Sequence, residues 1–209
     1  MKRRHLAYCL LIVIATLGYA LSVYGSLPEV VPVHWGVSGK PDGWAGKSFL
    51  LWFVPAMQVF IVALIAGLAA IPSQARRIAH FSDVLGHMVI AFTGFFAWLE
   101  WLMVQAAMGR DFLSKGLMLA MFLLFAFLGN MMGKMRRNSV MGIRTPWTLA
   151  SDEAWHATHR WSARYMVVVA LVGFAATLAG ASIWLQLALL MAWGFGPLVY
   201  SLKFRPKEI

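Results

Sequence analysis

Apolar and polar positions fall in long blocks along this chain. Six stretches approach the ~20 mostly apolar residues that a helix needs to cross a bilayer. They are residues 6–24, 49–71, 87–108, 116–132, 165–183 and 184–202. The last two arrive as one apolar block, too long for a single span. A split between Gly180 and Trp184, where a tight turn can form, turns the block into a helical hairpin. The pattern predicts an all-α polytopic membrane protein with six transmembrane helices, built as a single integral membrane domain over residues 1–209.

The first run follows "MKRRH", which resembles the basic start of a signal peptide. Its apolar core is longer than the usual 7–15 residues, and no clean small-x-small cleavage site follows. It is therefore read as a membrane helix. Six spans put both termini on one side. With the termini inside, fourteen basic residues face the cytoplasm: Lys2, Arg3, Arg4, Arg76, Arg77, Lys134, Arg136, Arg137, Arg144, Arg160, Arg164, Lys203, Arg205 and Lys207. Four remain outside: Lys40, Lys47, Arg110 and Lys115. The excess of inner positive charge predicts cytoplasmic termini. Two connections are then long, an outer loop at 25–48 and a cytoplasmic loop at 133–164.

Composition agrees with the span pattern. The chain is 61% hydrophobic, with a mean hydropathy of +0.72. Its 12% of charged residues is about half the share of soluble domains. Lipid is the solvent that such a chain fits. A net charge of +10 would suggest nucleic acid in a soluble protein. Here it fits loops lying against anionic head groups, so the expected partner is the bilayer and no direct nucleic-acid contact is read. The single Cys9 permits no disulfide within the chain. Small-xxx-small pairs, Ala63/Gly67 and Ala176/Gly180, suit close helix packing.

The outer loop reads "GSLPEVVPVHWGVSGKPDGWAGKS". Pro28 and Pro32 forbid a regular helix, so an extended path is expected. "KPDG" fits a type I turn. Glu29, His34, Trp35, Asp42 and Trp44, together with Glu100 of the third span, are the candidate outer site for an external ligand or a metal ion. The alternative makes the loop residues anchors, with the tryptophans at head-group level.

Glu100 stands between Trp98 and Trp101 inside the third span. An acid at membrane depth is a functional-site hypothesis by default. His34 and Lys47 are its candidate partners. The alternative places Glu100 at a wet interface, since Gln105, Arg110 and Asp111 follow soon after.

The densest chemistry is "NSVMGIRTPWTLASDEAWHATHRW", residues 138–161. Gly142 and Pro146 predict a turn and an extended entry. Ser151 is a good N-cap, and Asp152 and Glu153 suit the first turn of a helix. On that helix Asp152, His156 and His159 share a face at i, i+4 and i+7. No cofactor is expected. The sharp candidate here is a divalent-metal or proton-transfer site at Asp152, Glu153, His156 and His159, although H-x-x-H by itself is a weak signal. The competing readings are a salt-bridged interfacial helix and a partner-recognition surface. No Ser-His-Asp arrangement, Walker loop, GxGxxG or CxxC pair occurs, so nothing marks the chain as an enzyme.

Both loops resemble one family. "LPEVVPVHWGVSGKPDGW" followed by a membrane helix resembles the small domain of unknown function usually found at the start of the SdpI family. "NSVMGIRTPWTLASDEAWHATHR" is similar to that family's signature segment, with Asn138, the Gly142-Ile143-Arg144-Thr145-Pro146-Trp147 run, and the Trp155, His159, Arg160 ending. The resemblance implies a multi-pass protein of the bacterial plasma membrane linked to resistance against a membrane-active peptide toxin. It also implies signalling, through a transcriptional regulator held at the membrane. Three functions follow as expectations. The outer loop binds a toxic peptide, with the spans relaying its state to the cytoplasmic loop. Alternatively, Glu100 serves a transporter or membrane enzyme for a lipid or small solute. A third role, compatible with the first, is a cytoplasmic docking platform.

Overall fold

The computed structural model describes residues 2–36, 38–71, 79–110, 112–138 and 140–206. Arg76, Arg77, Asp111 and Lys207, which entered the sequence reading, lie outside the described residues. Six helices are long and apolar enough to cross a membrane. They are α1 (Arg3–Val23), α2 (Ser48–Ala70), α3 (Ser82–Ala107), α4 (Leu113–Met132), α6 (Asp152–Leu178) and α7 (Ile183–Ser201), with a short α5 (Pro146–Ala150) between the fourth and fifth spans. Many large apolar side chains on these helices are exposed, among them Leu11, Ile14, Phe60, Trp184 and Val199. Lipid is the medium that satisfies such surfaces.

The extended path expected after the first span pairs with itself. Strand β1 (Val30–Trp35) runs antiparallel to β2 (Pro41–Gly46). Val31 faces Ala45 and Pro32 faces Trp44, with irregular register on either side of His34. The turn lies one step earlier than "KPDG" suggested. Gly36 N–H donates to Lys40 O at 3.1 Å, Gly39 N–H donates to Gly36 O at 2.9 Å, and Gly39 takes a φ of +76°. Pro41 already belongs to β2. Gly43 is needed because a Cβ there would come within 2.8 Å of the His34 Cβ.

The described chain packs as two compact units. One comprises Met1–Leu68 and Gly86–Ala120, the other Ala69–Leu85 and Met121–Ile209. The core of the first unit joins Leu27 and Val31 to Leu50 and Val54 of α2, Leu102, Met103 and Val104 of α3, and Leu113 of α4. Val31 is wholly buried, so the hairpin is rooted in this core. In the second unit α6 runs unbroken from its Ser151 cap, whose Oγ accepts from Ala154 N–H at 3.3 Å. It stops where Ala181 N–H turns back to Ala176 O at 2.9 Å and Gly180 adopts a φ of +74°, a glycine C-cap of Schellman type.

Lipid offers helices little hydrophobic drive to associate, so close packing must hold them together. The close approaches are not the small pairs read from the sequence. Gly67 and Gly180 have open space where a Cβ would point. The tight sites are Gly86 against His5, Gly116 against Leu102, Gly129 against Met166, Gly173 against the Phe122 ring and Gly196 against the Tyr165 ring.

Candidate functional site

The signature segment folds into a clip on α6. Asn138 opens it. Its Oδ1 accepts from the N–H groups of Val140 and Met141, both at 2.8 Å, and its Nδ2 donates to Arg136 O. Gly142 follows with a φ of +111°. That conformation suits glycine, and any Cβ there would sit 2.5 Å from His159 Nε2 and 3.1 Å from the Trp155 ring. Ile143 N–H then donates to His159 Nε2 at 3.1 Å. His159 Nδ1 bonds to Trp155 O at 2.8 Å, so Nδ1 carries the proton and the imidazole is neutral. The ring lies on Trp155, with 3.9 Å between centroids, and the Trp155 indole N–H donates to Met135 O at 2.9 Å.

The next residues form α5 rather than a plain extended entry. Pro146 takes the first helical position, where its missing N–H costs nothing. Thr145 and Thr148 cap each other's backbone in a capping box. Thr148 Oγ1 also reaches Ile143 O at 2.7 Å. Arg137 closes the clip, donating to Leu149 O at 2.9 Å and pairing with Asp152 at 2.7 Å.

Most of the signature residues therefore build the clip. Trp155, Thr148 and His159 are buried, whereas Arg144, His156 and Arg160 are exposed, with Trp147 half-buried. The face predicted to hold a metal is not assembled. Asp152 pairs with Arg137, Glu153 and His156 face outward, and both His159 ring nitrogens are used within the clip. Among the described residues no three His, Cys, Asp or Glu side chains are grouped to hold a metal ion.

The hairpin residues form two separate pairs. His34 Nδ1 and Asp42 Oδ1 lie 2.5 Å apart near the turn. At the base, Lys47 donates to Glu29 at 2.8 Å and sits over the Tyr24 ring at 4.9 Å. The hydrogen bond that Lys47 donates to Glu29 raises its ammonium above the ordinary titration range. Trp35 is half-buried against the core. Trp44 points outward, 61% exposed, beside exposed Val30. The hairpin thus presents exposed apolar side chains away from its turn, on a pinned strand pair.

Glu100 joins neither pair. It is wholly buried in α3, and neither carboxylate oxygen has a hydrogen-bond partner among the described residues. His34 and Lys47, its candidate partners, are taken by Asp42 and Glu29. Glu100 has no exposed surface. Nearby, Gln105 Nε2 donates to the Tyr19 hydroxyl at 3.2 Å, and Arg110 bonds Gln105 Oε1. One stretch further along α3, Gln58 Nε2 bonds Thr93 O at 2.9 Å and Thr16 Oγ1 at 3.1 Å.

Sequence reasoning had Ile143 and Thr148 only as members of the signature run, and it missed the part of Arg137 in the clip and of Tyr19 beside Glu100. The Thr-Pro-Trp-Thr run held a capping-box signal that could have revealed α5. Nothing local could have paired Tyr19 with Gln105, which lies 86 residues away.

Comparison with known proteins divides along the same two units. Residues 134–201, inside the second unit, match the SdpI/YfhL protein family. Residues 11–59, inside the first, match a domain of unknown function, DUF1648. The immunity protein SdpI of Bacillus subtilis (strain 168) is 26% identical over 164 residues, covering 77% of this chain and 76% of that protein. No solved structure matches the chain.

Proposed function

We propose that this chain, a member of the SdpI family and a multi-pass membrane protein, protects a bacterial cell against a membrane-active peptide. In this reading it lies in the plasma membrane with both termini in the cytoplasm. The hairpin then faces outward and the clip faces inward. The peptide docks on the exposed apolar side chains of the hairpin strands at Trp44 and Val30, held by flanking contacts to Glu29, His34 and Asp42. The bound state passes to the clip, where Arg144, Trp147, His156 and Arg160 meet a soluble transcriptional regulator. Helices α3 and α4 are the natural relay, because each carries residues of both units.

The observation that carries the reading is Trp44. A 61% exposed indole sits on a strand pair pinned by the Lys47–Glu29 ion pair and the His34–Asp42 contact and rooted by a buried Val31. A preformed apolar projection loses little freedom on binding, which favours affinity. A tryptophan that only anchors the hairpin at the head groups is the competing role.

Complementation separates the two. Cells lacking the gene receive wild type or Trp44→Ala and are challenged with a panel of amphipathic peptides. The expected result is normal membrane abundance of the variant with lost protection. Equal sensitivity of all strains, with or without the gene, removes the proposal. Lost abundance together with lost protection assigns Trp44 to anchoring.

A further inference from the structure

We propose that Glu100 is an intramembrane proton-binding site that exchanges its proton at the Arg110 end of α3. The inference is independent of peptide resistance. It starts from an imbalance in the first unit. Buried carboxylates are normally paired or fully hydrogen-bonded. Glu100 is wholly buried, and both its oxygens lack a partner among the described residues.

The surroundings select a proton over a metal cation. Hard cations require several oxygen ligands around one point. Here neither Glu100 oxygen meets a polar partner among the described residues, and the buried core that the following turn of α3 joins, through Leu102, Met103 and Val104, is apolar. The hairpin sends Val31 to this core, and its own titratable groups pair with one another. From α1 comes Tyr19, whose phenol lies close enough to feel the Glu100 charge as well as that of Arg110. Its oxygen accepts from Gln105, which leaves its O–H to donate. Beyond α3 comes Arg110, bonded to Gln105. One carboxyl with a single phenol beside it suits a proton and is too sparse for a metal.

The same line explains how the proton leaves. Release transfers one proton from the Glu100 carboxyl to water at the Arg110 end and leaves a carboxylate. The Tyr19 hydroxyl then donates to it. The Arg110 guanidinium, always charged, moves from Gln105 Oε1 towards the new negative charge and balances it. Proton loading reverses both changes. Arg110 and Gln105 are positioning residues, and Glu100 alone holds the proton.

The test uses the full chain in phosphatidylcholine nanodiscs and infrared difference spectra across a pH series. Wild type is expected to show a protonated-carboxyl band at neutral pH that bleaches reversibly in alkali. Glu100→Gln should lack that band while keeping its helical circular dichroism. Arg110→Gln keeps Glu100 but removes the balancing charge, so bleaching should shift by about one pH unit or more to the alkaline side. A band unchanged in Glu100→Gln overturns the proposal. So does a Glu100 band that never bleaches, which marks a static buried acid. An unshifted Arg110→Gln titration overturns the exchange route. That variant also covers the case in which Glu100→Gln fails to fold.

Discussion

Ile143 N–H donates to His159 Nε2 across 3.1 Å, although the two residues are 16 apart in the chain. The bond ties the turn before α5 to the second turn of α6. It also fixes the tautomer, since Nδ1 must then donate to Trp155 O. A histidine that reads as a candidate metal ligand in sequence is here a bracket.

Removing the acceptor alone tests the bracket. His159→Phe keeps an aromatic ring against Trp155 but leaves the Ile143 N–H buried and unpaired. The expected loss is about 1–3 kcal/mol, read as a lower Tm of the purified protein in detergent. An unchanged Tm means that other contacts hold the clip.

Gly142→Ala attacks the same clip from the backbone. Its φ of +111° and the 2.5 Å approach to His159 Nε2 predict strain on the order of 1–3 kcal/mol. Trypsin should then cut faster after Arg136, Arg137 or Arg144. Gly194→Ala, in α7 with open space around it, is the control and should change stability by less than about 0.5 kcal/mol.

Helix packing in the second unit can be probed at Gly173, where a Cβ would lie 2.1 Å from the Phe122 ring. Gly173→Ala should cost about 1–3 kcal/mol through overpacking. Adding Phe122→Leu should recover part of that loss in a double-mutant cycle. Simple additivity would show that α4 and α6 do not touch at this point.

The Lys47–Glu29 pair carries a pH signature. Lys47 has its folded midpoint above the ordinary 10.5, first because Glu29 accepts its hydrogen bond. The contribution of the pair is complete below the unfolded midpoint and is lost as pH rises through the folded one. Neutral and mildly alkaline solutions should therefore leave the hairpin base intact. Titration of the Lys47 ammonium by NMR checks this, and Glu29→Gln should lower the midpoint. An unmoved midpoint would mean the pair does not persist in solution.

Gln58 has one amide oxygen without a partner among the described residues, while its nitrogen bonds Thr93 O and Thr16 Oγ1. Thr16 Oγ1 keeps its own bond to Ile12 O at 2.8 Å in the absence of Gln58. Polar contacts within membranes average only ~0.6 kcal/mol. Gln58→Leu should thus shift stability by less than about 1 kcal/mol in a chemical denaturation series. A larger loss would reveal a second partner for that oxygen.

Local composition by itself determined the six spans. The cost of placing a helix in lipid is summed over contiguous residues, so the runs around Ile14, Phe60 or Val199 declare themselves without knowledge of their neighbours. The cap at Ser151 was legible for the same reason, because an N-cap and its first turn are adjacent in the chain. Tertiary structure alone decided the rest. Whether His34 reaches Glu100 or Asp42 depends on which strand returns beside it. Whether His156 or His159 is usable depends on where Ile143 folds back. Gly173 and Gly67 look alike in sequence, and only the ring of Phe122 distinguishes them. Glu100 was visible as an acid in a greasy helix, but only the packing of the chain decides that its buried oxygens meet no hydrogen-bond partner among the described residues.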